Sequence, residues 1–192
     1  MPSRSLGTWN TVRVSALDEI EDAHRSVGGT GRGRRYATQQ INYAYAVLLS
    51  SQFQGYCRDL HSECILHLVR GITPLPMQSV VQEGFVFRLA LDRGNPNPGN
   101  IAADFNRLGL DFWDVVNAHD PRNRQRQRLL EDLNQWRNAI AHQDFTSPLL
   151  GGLTVLTLER VRRWRSACMG LARSLDRVMA DHIYSMVGTR PW

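Results

Sequence analysis

The 192-residue sequence predicts an all-α fold, an antiparallel helical bundle with two long helices and a motif-bearing penultimate helix. Three observations predict it. Few windows alternate apolar and polar residues with period two, apolar residues recur at helical spacing through most of the chain, and glycine and proline loops separate the periodic stretches. With 42% hydrophobic residues, a chain of this length supports one domain over 1–192 with a sizeable core.

The elements follow in order. Ser15 is placed to cap a first helix, "ALDEIEDAHRSV", whose acidic first turns suit its N-terminal dipole and which stops at Gly28 and Gly29. The basic loop "GGTGRGRR" comes next; it follows a helix and lacks the GK[ST] ending of a phosphate loop. A long helix is predicted over 36–70, free of proline and interrupted only by Gly55. Pro74 and Pro76 close its connection to a third helix, "MQSVVQEGFVFRLALDR". "GNPNPGN" is the clearest loop in the chain, and short helices are predicted at 101–108 and 111–117. Asp120 and Pro121, a capping acceptor before a first-turn proline, start a helix that reaches His142. The segment 147–152 breaks the pattern, and Thr157 caps a last helix that runs to Met186, before Gly188.

Composition narrows the setting. The formal net charge of +5 favours an anionic partner, although all of the basic residues are arginine and none is lysine. No apolar run approaches the roughly 20 residues that span a bilayer, so no membrane association is expected. The N-terminal stretch lacks the apolar core of a signal peptide, and a cytoplasmic protein is expected. Cys57, Cys64 and Cys168 are odd in number and form no CxxC pair, which points to reduced, buried thiols.

The helix after Asp120 carries the most informative pattern. At about 100° per residue, Leu129, Leu133, Trp136 and Ile140 fall within roughly 60° and form its core stripe. Asn138 and His142, four apart, lie roughly 160° from the centre of that stripe and face away from the core. Arg137 sits on the flank and is long enough to swing toward them. Ala139 and Ala141 add little bulk nearby, which leaves room for another backbone or a phosphate. A histidine at a helix C-terminus also favours the helix dipole, and an arginine there also serves as a solvated charge.

The residues "RNAIAH", with Arg137, Asn138 and His142 as arginine, following polar residue and histidine, resemble the signature of the HEPN superfamily, the higher eukaryotes and prokaryotes nucleotide-binding helical domains. "YAVLLSSQFQGYCRDLHSE" is similar to the first long helix of its ribonuclease-like branch, and the resemblance covers most of the chain. It implies a metal-independent endoribonuclease, often a toxin or antiviral effector, that acts as a homodimer with a composite cleft. Some members of the superfamily bind without cleaving, so a catalytically silent RNA- or protein-binding dimerisation module is the alternative. A helical scaffold in which the motif only ends a helix is a third reading.

The residue types fit the chemistry. Cleavage without a metal or cofactor needs a base for the 2′-OH, an acid for the departing 5′-oxygen and a cation for the charge on phosphorus. A histidine can serve as base or acid near neutral pH, the role His142 would take, and Arg137 offers a planar fork to phosphate oxygens. Asn138 can orient the imidazole or bind ribose or phosphate. A 2′,3′-cyclic phosphate end is expected. One copy supplies one histidine, so two such faces joined in a dimer complete the site. RNA is the expected partner, with Arg122 and Arg126, among the alternating Arg122, Arg124, Arg126 and Arg128, expected to line the groove. A toxin would bring an antitoxin or inhibitory protein partner.

Cys57, His61, Cys64 and His67 share a broad face of the long helix, but one helix cannot readily wrap four ligands around a tetrahedral ion, so they are assigned to packing. His61, Asp59 and Glu63 are within reach of a dimer cleft if the long helix borders it. The run "ERVRRWRS" reads as a snorkelling basic face, with a base-stacking platform at Trp164 as the other reading.

Overall fold

A computed structural model describes residues 1–28 and 35–192. The basic glycine loop, residues 29–34, lies outside them, as do the side chains of 28 and 35–37. Helices are α1 (Arg4–Thr8), α2 (Val14–Gly28), α3 (Arg35–Val69), α4 (Leu75–Val86), α5 (Ala90–Arg93), α6 (Pro98–Phe105), α7 (Phe112–His119), α8 (Asn123–His142) and α9 (Leu158–Val187). A π-helical turn, Trp9–Arg13, joins α1 to α2. No strand occurs among the described residues, and no helix there is long and apolar enough to cross a membrane.

The first helix begins at Arg4, well before Ser15. Ser3 is the cap, its hydroxyl accepting the Leu6 N–H at 2.9 Å. The Glu63 carboxylate, across the bundle, takes the N–H groups of Arg4 (3.0 Å) and Ser5 (2.9 Å). Three of the orphan donors of this helix end are thus satisfied, two of them from α3, which local spacing cannot reveal. The predicted third helix is two helices. Arg107 donates to the carbonyls of Phe87 (2.9 Å) and Gly84 (2.8 Å) and closes α4. The buried Asp104 carboxylate accepts the N–H groups of Ala90 (2.7 Å) and Leu91 (2.9 Å) and starts α5. Between them Arg88 holds φ 53°, which breaks the helical path.

Polar contacts along the long helices fix their directions. Asn42 on α3 donates to Leu156 O just before α9, and Tyr56 donates to Ala172 O further along both, so α3 and α9 run parallel. Arg160 meets Asp132, and Arg126 lies across Gly170, so α8 runs against α9. The pairs Tyr45–Glu21 and Ser5–Glu63 set α1 and α2 against α3. The result is an up-down bundle with apolar stripes meeting inside. Trp9, Phe53, Tyr56, Leu60, Leu133, Trp136, Trp164 and Leu171 are fully buried there.

The remaining boundaries agree with the sequence to within a few residues. The Thr157 hydroxyl accepts the Arg160 N–H at 3.3 Å and starts α9, and Gly188 ends it at φ 72°. Asp120 differs in detail: its carboxylate takes the N–H of Arg122, and α8 itself starts at Asn123.

Candidate functional site

The buried side of α8 is wider than the four-residue stripe. Leu133 and Trp136 are fully enclosed and Leu129 and Ile140 partly so, but Leu130, Asn123, Asn134 and Ala139 are buried as well. Ala139 therefore packs against its own fold, and of the two small residues Ala141 alone is exposed. Opposite this side, Asn138 and His142 are exposed, one turn apart, as their spacing requires.

Helix α8 ends just after His142. Gln143 takes the left-handed conformation at φ 54°, and the N–H groups of Gln143 and Asp144 return to the carbonyls of Ile140 (3.3 Å) and Ala139 (3.0 Å). The chain turns over the helix end there and forms a depression of about 250 Å³ lined by Gln135, Asn138, His142, Asp144, Ser147 and Leu149. The Thr146 hydroxyl (2.6 Å) and N–H (3.0 Å) hold the Asp144 carboxyl below its ordinary range, and His142 adds to that effect. A fixed negative charge thus stands beside the imidazole. Among the described residues, His142 has no hydrogen-bond partner.

The loop "GNPNPGN" supports the site from the other side. Asn95 donates through Nδ2 to Asn138 Oδ1 at 2.9 Å, and Arg137 donates through Nη1 to the same oxygen at 3.3 Å. Asn134, one turn before Asn138 and 2% exposed, donates to Pro96 O (3.1 Å) and Leu130 O (2.8 Å) and accepts from Ser50 (3.1 Å). It ties helix, loop and α3 together with its polar atoms satisfied. Gln54 of α3 adds two bonds, to Leu91 O (2.5 Å) and Gly94 O (2.8 Å). Sequence reading passed over Asn95 and Asn134. The available signal was the i, i+4 pair of asparagines on α8 facing a loop rich in the same residue.

Arg137, Asn138 and His142 come together, whereas Arg122 and Arg126 do not join them. Their Cα positions are about 24 to 30 Å back along the helix from His142, and they lie on a different side of it from Asn138 and His142. Both are engaged by Asp120: Arg122 through Nε (3.0 Å) and Arg126 through Nη1 (2.8 Å). Arg126 also meets Asn123 (2.7 Å) and lies so close over Gly170 that a Cβ there would collide with its guanidinium. Arg124 and Arg128 instead share the general direction of Asn138 and His142, are exposed, and have no ion-pair partner among the described residues. Alternating arginines put two on each side, and Asp120, just before the helix, engages the pair on its own side.

Other sequence candidates are absorbed by the fold. Cys57, His61 and Cys64 are buried, with the His61 ring on Phe105 and its Nε2 3.2 Å from Asp104 O. Burial pushes the Cys57 and Cys64 thiols well up. His67 packs on Trp192. Asp59 pairs with Arg13 and Glu63 caps α1, so neither they nor His61 reach the His142 end. In "ERVRRWRS" each arginine is paired within the chain: Arg160 with Asp132, Arg162 with Glu21, Arg163 with Glu159, and Arg165 with Asp18 and Glu21. Trp164 is buried and donates to Asp132, so no stacking platform is present there. Among the described residues, no group of three or more His, Cys, Asp or Glu side chains could hold a metal ion. Neither protein-family models, curated proteins nor solved structures match this chain.

Proposed function

We propose that this protein is a HEPN-type endoribonuclease that cleaves RNA without a metal, through Arg137, Asn138 and His142. The observation that carries the reading is the cluster at the end of α8, where a cationic fork, an oriented amide and an exposed imidazole with no hydrogen-bond partner among the described residues share one patch beside a depression. In the proposed reaction His142 takes the proton of a ribose 2′-OH as that oxygen attacks phosphorus. The P–O5′ bond breaks, and the equivalent histidine of a second copy returns a proton to O5′. Arg137 balances the charge on the non-bridging oxygens. The products are a 2′,3′-cyclic phosphate and a 5′-hydroxyl.

Arg124 and Arg128, on the same side of α8 as Asn138 and His142, support an RNA strand there, with Arg137 reaching in from the flank; none of the three is held by a carboxylate among the described residues. A two-fold homodimer is proposed because a single copy presents one histidine for a reaction that uses an acid and a base. A free ribonuclease would damage cellular RNA, so an inhibitory protein partner forms part of the proposal. Those same arginines serve a silent binding module equally well, and cleavage separates the two readings. His142→Ala and Arg137→Ala are expected to lower cleavage of labelled RNA by at least 100-fold, about the cost of removing one transition-state group. Wild-type rates in both folded variants would remove the reading, and binding without cleavage by the wild type would select the silent module.

A further inference from the structure

Asparagine amides are ambiguous when each could donate or accept, and here a backbone group removes the ambiguity. Asn97 caps α6: its Oδ1 accepts the Asn100 N–H at 2.8 Å, and a backbone N–H can only donate. The Asn97 Nδ2 is then left to donate to Asn95 Oδ1 at 2.9 Å. With its oxygen engaged, Asn95 turns its own Nδ2 to Asn138 Oδ1 at 2.9 Å. The Arg137 guanidinium donates to that oxygen as well, at 3.3 Å, so both its lone pairs are used. Asn138 Nδ2 has no acceptor among the described residues and belongs to an exposed side chain.

We propose that Asn97 and Asn95 are positioning residues which, through this chain of amides, fix Asn138 as a hydrogen-bond donor toward an anionic ligand, a phosphodiester oxygen. The purpose assigned to the relay rests on the ribonuclease reading above; its direction rests on the cap, and the Arg137 guanidinium, which can only donate, favours the same orientation of Asn138. With its oxygen occupied, Asn138 cannot accept the N–H of His142, so the imidazole is not oriented by it in that sense. The patch then offers donors from Asn138 and Arg137, which suits a ligand made of acceptors. Gly94 helps to hold the relay's frame, since a Cβ on it would meet Asn100 Nδ2 at 2.5 Å, where that amide donates to Asn95 O (2.8 Å).

The test is made at Asn97, two amides away from the ligand. Asn97→Asp keeps an acceptor for the α6 cap but cannot donate to Asn95, so Asn95 reverses, donates to the new carboxylate, and turns its oxygen to Asn138. Asn138 is then driven to reverse too, which breaks its contact with Arg137 and presents an oxygen outward. Asn97→Ser keeps a neutral cap and removes the amide Nδ2 that reaches Asn95, which controls for the added charge. Two readouts are taken on the folded proteins: the side-chain amide resonances of Asn138, assigned with Asn138→Ala, and affinity for a labelled 2′-fluoro RNA oligonucleotide, which cannot undergo 2′-oxygen attack. In Asn97→Asp the Asn138 amide protons are expected to shift and to exchange more slowly with water. RNA affinity is expected to fall about tenfold, and to fall less in Asn97→Ser. Unmoved Asn138 resonances in a folded Asn97→Asp protein would overturn the relay. Resonances that move with RNA affinity unchanged would overturn its role in ligand binding. A wild-type protein that binds no RNA at low salt would overturn the anionic ligand and the functional reading together, with the resonances still deciding the direction of the relay.

Discussion

At the scale of single residues, the structure separates arginines and histidines that look alike in sequence by what already holds them. Arg137 keeps its fork largely unspent, its one hydrogen bond among the described residues going to the neighbouring amide, so Arg137→Lys tests geometry apart from charge. A lysine retains the cation but loses the planar two-point contact, and a loss of about tenfold or more in kcat is expected under single turnover, with folding unaffected. Retained kcat would assign Arg137 to simple attraction of RNA. His61 is the opposite case, enclosed in the core with no partner at Nδ1. Burial lowers its pKa below 6.5, against the opposing pull of Asp104. Its folded pKa being the lower one, the unfolded chain takes up the proton first. Stability is therefore full above pH 6.5 and falls as pH drops below that value. His61→Gln is expected to flatten that part of the urea-unfolding profile against pH, whose slope per histidine is at most about 1.4 kcal/mol per pH unit. An unchanged slope would place the pH response elsewhere.

Elements make visible what a single sequence can and cannot convey. The two long helices, the break after α8 and the Thr157 cap are written in local spacing and turn chemistry, and they lie where that chemistry puts them. The start of α1 is not, because Glu63, 58 and 59 positions away, supplies the acceptors that "SRSLGTW" lacks. Nor is the division of α4 from α5, which Asp104 and Arg107 impose from α6 and the turn after it. The outward direction of Asn138 and His142 follows from 100° per residue, whereas the hold of Asn95 on Asn138 depends on where a proline-rich loop comes to rest. The packing of α8 on α9 turns on one carboxylate. Asp132 accepts from Arg160 Nη2 (2.8 Å) and Nε (3.1 Å) and from the buried Trp164 Nε1 (2.9 Å). Arg160 in turn covers the Trp136 and Trp164 rings. Asp132→Ala leaves that indole and guanidinium unpaired and is expected to lower stability by about 1 to 3 kcal/mol in urea unfolding. A loss within error of zero would assign the helix packing to the apolar contacts alone.

For the whole molecule, the formal charge of +5 is a poor guide to where an anion would bind, because much of the arginine is internally neutralised. The arginines of α9 near its start are paired with α2, α8 or their own helix, and Arg122 and Arg126 with Asp120. What remains without a carboxylate partner among the described residues of α8 is Arg124 and Arg128 on the His142 side, and Arg137 on the flank. Arg124→Gln and Arg128→Gln are each expected to lower the slope of log affinity for single-stranded RNA against log salt by about 0.7, the value for one phosphate contact. Arg122→Gln is expected to leave that slope unchanged. A slope that responds to Arg122 and ignores Arg124 would move the RNA path to the opposite side of the helix.

The central claim, that the Arg137, Asn138 and His142 patch cuts RNA by 2′-oxygen attack, meets its most direct test in the chemistry of the ends produced. Purified protein and its His142→Ala variant are incubated with labelled RNA in EDTA, and the fragments are analysed by mass. The account predicts cleavage by the wild type alone, with 2′,3′-cyclic phosphate and 5′-hydroxyl ends. Cleavage that His142→Ala retains, or fragments ending in a 5′-phosphate, would contradict it.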